Sequence, residues 1–155
     1  MRPRLTTAAL TVAAAVAGTI GTRPDSDWYE SLEQPDWQPP KAAFPLVWTP
    51  LYATIAWSTG RALAKAQERS AADGRRMLAL TATDLAVNAG WCWVFFAKRS
   101  PGAGLAVIVG LDALNLALVR EAGRHDRTAA TTLLPYVAWT GFATALNAAV
   151  WRRNR

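Results

Sequence analysis

A single cysteine, Cys92, and a single histidine, His125, leave the chain without the means for an intramolecular disulfide or a Cys/His metal set. No nucleophile paired with a base stands out, so conventional catalysis has no visible machinery. Charged residues are scarce at 18% of the sequence, and acids scarcer still, with 11 Asp and Glu against 17 Lys and Arg. In a soluble protein the resulting net charge of +6 would suggest a nucleic-acid partner. Here the basic residues sit at the ends of apolar blocks, where they act as membrane anchors and topology signals, so nucleic acid is not an expected partner. The long first connector is poor in Gly and Ser, which argues against a flexible linker.

What the chain does have is hydrophobic sequence, 52% of it, gathered into five blocks at about 5–22, 44–64, 77–97, 101–119 and 129–151. A helix needs roughly 20 apolar residues to cross the hydrocarbon core. The expected fold is therefore an all-α membrane protein, a single domain over residues 1–155 built as a bundle of five transmembrane helices. A mean hydropathy of only +0.07 reflects alanine-rich helices diluted by charged connectors. The first block follows Arg2 and Arg4 in the manner of a secretory leader. Its length and the small-residue steps Ala14 to Gly18 and Ala17 to Gly21 suit a retained, packed helix better. Connectors two and four together with the N-terminus hold ten Lys and Arg, against seven on the other side. The positive-inside rule then puts the N-terminus in the cytoplasm and the first connector outside.

That connector and the helix after it, WYESLEQPDWQPPKAAFPLVWTPLY from Trp28 to Tyr52, concentrate aromatic rings and prolines. Prolines 24, 35, 39 and 40 exclude a continuous helix, and the acids at 25, 27, 30, 33 and 36 make it an acidic cap. An ordered lid rich in rings suits recognition, since aromatics bury large area at small conformational cost. An interfacial aromatic belt is the competing reading.

Behind the cap, helical spacing assembles faces. Trp48, Tyr52 and Ile55 share one side of the second block, with Pro50 expected to bend it; Asp84, Asn88, Trp91 and Phe95 form a stripe on the third. On the fifth block, which begins near the bending Pro135, Tyr136, Trp139 and Ala143 share a face continued by Asn147. Polar groups in a membrane helix are costly and face inward, so Asp84 and Asp112 are expected to be neutral or amide-bonded, since no basic residue lies within the blocks to pair with them. Ala82, Ala86 and Gly90 offer a small-residue row for a neighbouring helix or a second subunit.

Three stretches in this order resemble the TspO/translocator protein family: WYESLEQPDWQPP with FPLVWTPLY, NAGWCWVFF from Asn88, and PYVAWTGFATALNAAVWRRN from Pro135. The resemblance is collinear over nearly the whole chain. It implies a five-helix bundle, usually dimeric, with a pocket roofed by the first loop. It also implies ligands of the tetrapyrrole class, protoporphyrin IX or haem, with no cofactor required. Carried over by position, the binding residues are Trp28 and Tyr29 in the loop, Trp48 on the second helix, Asn88, Trp91 and Phe95 on the third, and Trp139, Phe142 and Ala143 on the fifth. A flat apolar ring with carboxylates at one edge needs aromatic faces and a polar mouth, where Lys41 is a candidate partner for a propionate. The expected role is a sensor or scavenger of tetrapyrroles in a bacterial cell membrane. The alternatives are light- and oxygen-dependent porphyrin breakdown, with Trp28 and Trp139 taking part, or transport of porphyrin or lipid. Ala148 and Ala149 stand where the family's sterol pattern needs an aromatic, which argues against sterol. Asp84 replaces a frequent amide, so propionates are expected to face the mouth.

Overall fold

The computed structural model describes residues 2–155, and among them every regular element is helical. Helix α1 spans Pro3–Gly21, α2 Asp27–Glu30, α3 Ala43–Arg69, α4 Ala71–Cys92, α5 Pro101–His125, α6 Arg127–Thr132 and α7 Leu134–Arg153. A π-helical turn, Trp93–Ala97, continues α4. Five simple helices were expected; the structure has seven α-helical segments and this turn. The extra pieces have identifiable causes. Ser26 caps α2 inside the acidic connector by accepting the Tyr29 N–H at 3.3 Å. Pro135 lies in the first turn of α7 and separates it from α6, since it cannot continue the N–H ladder of a preceding helix.

The basic connectors prove to be helix. α3 and α4 meet at Ser70, and α5 and α6 meet at Asp126, each a single residue in extended conformation whose side chain caps the next helix. Alanine, glutamine, glutamate and arginine propagate helix well, so hydropathy marked where the apolar stretches ended and the helices ran on. Pro50 lies within α3 as expected.

Four elements are long and apolar enough to cross a bilayer: Pro3–Gly21, Ala71–Ala97, Pro101–His125 and Arg127–Arg153. α3, at 27 residues, has the length but not the composition, because its prolines, Tyr52, Ser58 and Arg61 lower its hydropathy. The expected five spans are thus four by length and composition together. Leu5, Val12, Val16, Ile20, Leu46, Val109 and Leu116 point outward, each more than half exposed, as a lipid-facing surface requires.

α1 packs against α3 and α4, α4 against α5, and α5 against α7. The buried face of α1 reads Thr7, Thr11, Ala14, Gly18 and Gly21, a small-residue stripe that brings backbones close. Gly60 on α3 is required there: a Cβ would lie 2.7 Å from Thr7 Oγ1 and 3.0 Å from the Arg4 Cα. Thr7 Oγ1 donates across the same contact to the Ala56 carbonyl at 3.1 Å. The small-residue steps on α1 therefore serve packing within the chain.

Candidate functional site

The aromatic residues converge at the end of the bundle where α1 finishes and α5 begins. α2 sets two of them: Trp28 meets Phe95 edge-on at 5.9 Å, and Tyr29 lies 6.4 Å from Phe95 and 5.2 Å from Phe96. The π-helical turn is what turns Phe95 and Phe96 toward the connector. Its i to i+5 bond, Lys98 N–H to the Trp93 carbonyl at 2.9 Å, inserts a residue and rotates the rings relative to α4. Trp91 stacks on Phe95 at 5.0 Å. Burial lifts the Tyr29 phenol above its ordinary value of 10.0, while Gln38 Nε2 donates to its oxygen at 3.2 Å.

A second group lies beside the first. Trp139 and Phe142 on α7 stack at 5.3 Å; Phe44 meets Trp139 edge-on at 6.0 Å and Trp37 meets Phe142 at 5.8 Å. Deeper, Trp48 stacks on Tyr52 at 5.2 Å and touches Tyr136 edge-on at 6.2 Å. Eight of the nine residues expected from sequence, Asn88 among them, fall in or beside these rings. The ninth, Ala143, is half-buried next to Phe142 and offers only a methyl group. Phe96 and Trp37 were not singled out as ring partners, because loop and π-turn geometry does not follow helical spacing; Phe44, one turn before Trp48 on α3, was passed over although helical spacing sets the two on one face.

The polar groups beneath the rings form a continuous chain. Asn88 Nδ2 donates to the Tyr136 hydroxyl at 2.7 Å, and that hydroxyl donates to Asp84 Oδ2 at 3.0 Å. Asn115, with its amide turned as its neighbours require, donates to Asp84 Oδ1 at 2.8 Å and accepts from Thr140 Oγ1 at 2.8 Å. Asp84 is 1% exposed with a hydroxyl and an amide as its partners, which is the amide-bonded arrangement expected of it. Asp112 accepts from Thr144 Oγ1 at 2.7 Å, and its other oxygen is buried without a partner. Trp91 Nε1 donates to Asn147 Oδ1 at 3.0 Å. The donors of Asn88 and Trp91 are engaged inside the protein, whereas the Trp139 Nε1 is buried and has no hydrogen-bond partner.

At the rim, Lys41 is already paired, with Glu30 Oε1 at 2.9 Å and Asp25 Oδ1 at 3.0 Å. The hydrogen bond to Glu30, then that to Asp25, raises the lysine above its ordinary value. A ligand carboxylate at Lys41 must displace one of these acids. Asn154, after α7, holds the connector from the other side through the Glu33 backbone.

Comparisons with known proteins identify the family. The TspO/MBR family pattern matches residues 6–152. The chain is 36% identical over 145 residues to Protein CrtK of Rhodobacter capsulatus, covering 92% of this chain and 89% of that protein. It is 32% identical to the tryptophan-rich protein TspO of Chlorobaculum tepidum, over 94% and 91% of the two chains. It is 31% identical to the human translocator protein, over 82% and 75%. With four apolar helices of spanning length and a match along nearly its whole length, this multi-pass integral membrane protein belongs to the TspO/MBR family.

Proposed function

We propose that the protein is a membrane receptor for planar tetrapyrroles, protoporphyrin IX or haem, acting as a sensor or scavenger. α3 is the fifth span, and residues 23–42 form a lid on the outer side. The observation that carries this reading is the Trp139 indole: a buried N–H without a partner, stacked on Phe142 and met edge-on by Phe44 beside the connector. Leaving a buried donor unmet costs about 1–3 kcal/mol, and a carbonyl or carboxylate of a ligand meets that need.

In the present conformation the rings close on one another. A flat ligand enters by lifting Trp28 and Tyr29 from Phe95 and Phe96 and replacing ring–ring contact with ring–ligand contact of the same kind. Such a swap changes little apolar exposure, so occupancy is governed by the lid and the orienting donor. The exposed face of α4 around Ala86 and Gly90, where a Cβ on Gly90 meets nothing within 4 Å, supplies the contact for a homodimer.

The test is a titration of the purified chain with protoporphyrin IX in the dark, followed through Trp fluorescence quenching and porphyrin absorbance. Saturable binding that weakens about five- to tenfold in Trp139→Phe, which keeps a ring but loses the N–H, supports the receptor reading. Absence of saturable binding overturns it. Illumination afterwards separates the enzymatic alternative: loss of the porphyrin spectrum that depends on Trp28 and Trp139 replaces a receptor with a photo-oxidative enzyme.

A further inference from the structure

The end of the bundle opposite the aromatic rings carries a groove of about 740 Å³ between α4 and α5. Its lining changes character along its length. Ala79, Leu80, Thr83, Leu116 and Ala117 form the apolar part, and Arg76, Arg120 and Arg124 gather with Glu121 at the end. Glu121 is the reason two of the arginines meet: it is 2% exposed, forms an ion pair with Arg76 Nε at 3.1 Å and accepts from Arg124 Nη1 at 3.5 Å. His125 Nε2 lies 3.3 Å from its other oxygen. One sealed carboxylate thus fixes two guanidinium groups whose side chains remain 61% and 54% exposed, with N–H donors left over.

Arg120, adjacent in sequence, is exposed and makes no ion pair among the described residues. The other nearby acid, Asp73, takes the Ser70 hydroxyl at 3.0 Å. Three guanidinium groups therefore face outward around a carboxylate that is turned inward. Such a set suits a phosphate, because planar N–H forks match its oxygens and Glu121 already positions two of the three groups.

The remainder of the groove identifies what carries the phosphate. The apolar walls run from the arginines toward the middle of two membrane-spanning helices, and Leu116 on their rim is 61% exposed on the lipid-facing surface. Small residues at 79, 83 and 117 leave a trough where bulkier side chains would fill it. A free anion uses only the basic end, whereas a phospholipid uses both parts. This end also carries ten of the chain's 17 Lys and Arg. We infer that the α4–α5 groove binds an anionic phospholipid, its headgroup phosphate on Arg76, Arg120 and Arg124 and an acyl chain along Ala79, Thr83 and Ala117.

The experiment is native mass spectrometry of the detergent-purified full chain titrated with phosphatidylglycerol or phosphatidylcholine. Preferential retention of phosphatidylglycerol is expected, reduced about fivefold in Arg120→Gln and unchanged in Arg75→Gln, whose exposed arginine lies outside the groove. Arg120 makes no ion pair or side-chain hydrogen bond, so its replacement leaves the fold intact; Ala117→Phe, which fills the trough without changing charge, is expected to lower retention as well. Equal retention of the two lipids overturns the proposal, as does an equal loss in Arg120→Gln and Arg75→Gln. Displacement of phosphatidylglycerol by equimolar inorganic phosphate overturns the lipid assignment. So does a change of oligomeric mass in Ala117→Phe with lipid retention unaltered, which makes a second copy of the chain the occupant.

Discussion

Asn154 and Glu33, far apart in sequence, clasp each other through two hydrogen bonds: the Glu33 N–H donates to Asn154 Oδ1 at 2.9 Å, and Asn154 Nδ2 donates to the Glu33 carbonyl at 3.0 Å. An amide that reads a backbone N–H and C=O together fixes the path of the proposed lid without regard to the Glu33 side chain. Each bond contributes about 1 kcal/mol net. Asn154→Ala is therefore expected to accelerate hydrogen exchange at the Glu33 amide by tenfold or more and to speed both ligand entry and release. Glu33→Gln is expected to leave both unchanged. Unaltered exchange in Asn154→Ala would show that this clasp does not hold the lid.

A second tether acts at the opposite edge of the lid. Lys41 bridges Glu30 and Asp25, and these hydrogen bonds raise its pKa. A raised lysine contributes stability that is complete below the unfolded value, about 10.4, and lost as pH climbs through the folded value. Lid docking, read by Trp fluorescence, is expected to be flat from neutrality to about pH 9 and to loosen above about pH 10.5. Lys41→Met abolishes that alkaline step. The groups are exposed, so salt is expected to weaken this tether while leaving the Asn154 clasp unaffected.

Helical periodicity made much of the site legible. Asp84, Asn88 and Trp91 share a face because 3.6 residues per turn put them there, and the same rule aligned Tyr136 and Trp139. What sequence could not supply was anything set by irregular backbone or by pairing across the bundle. The π-helical turn at Trp93–Ala97 re-aims Phe95 and Phe96, and no composition signal marks it. Lys41 was expected at a propionate, yet the connector folds its own acids around it. Hydropathy likewise placed the apolar cores of the helices but not their ends, because Ser70 and Asp126 decide those by capping.

Tyr136 on α7 joins two polar groups of α4 through one hydroxyl, donating to Asp84 and accepting from Asn88. Tyr136→Phe keeps the ring against Trp48 but leaves the Asn88 donor unmet and Asp84 with only Asn115. The expected loss is about 1–3 kcal/mol in thermal or denaturant unfolding of the detergent-solubilised protein. Asp84→Asn combined with Tyr136→Phe should cost less than the two separate losses added, since both remove the same bond. Strict additivity would mean that the two groups act independently.

Asp126 holds the corner between α5 and α6, capping the Ala129 N–H at 2.9 Å and accepting Arg61 Nε at 2.7 Å. The Ala129 bond first, and Arg61 with it, lower the carboxyl pKa below its ordinary value. A lowered carboxyl stabilises the fold above its unfolded value, about 3.9, and that contribution disappears as pH falls through the folded value. Asp126→Ala is expected to cost about 1–2 kcal/mol at pH 7, mostly from the lost cap. Asp126→Asn retains a capping oxygen but not the charge, so it should cost less than Asp126→Ala. The difference between wild type and Asp126→Asn should start to shrink as the pH drops below about 4, where the carboxyl of the unfolded chain takes up its proton while the native one still holds its charge. Unfolding midpoints of the three proteins measured from pH 7 down to pH 3 test this directly; a gap that stays constant over that range would remove the carboxylate charge from the account of this corner.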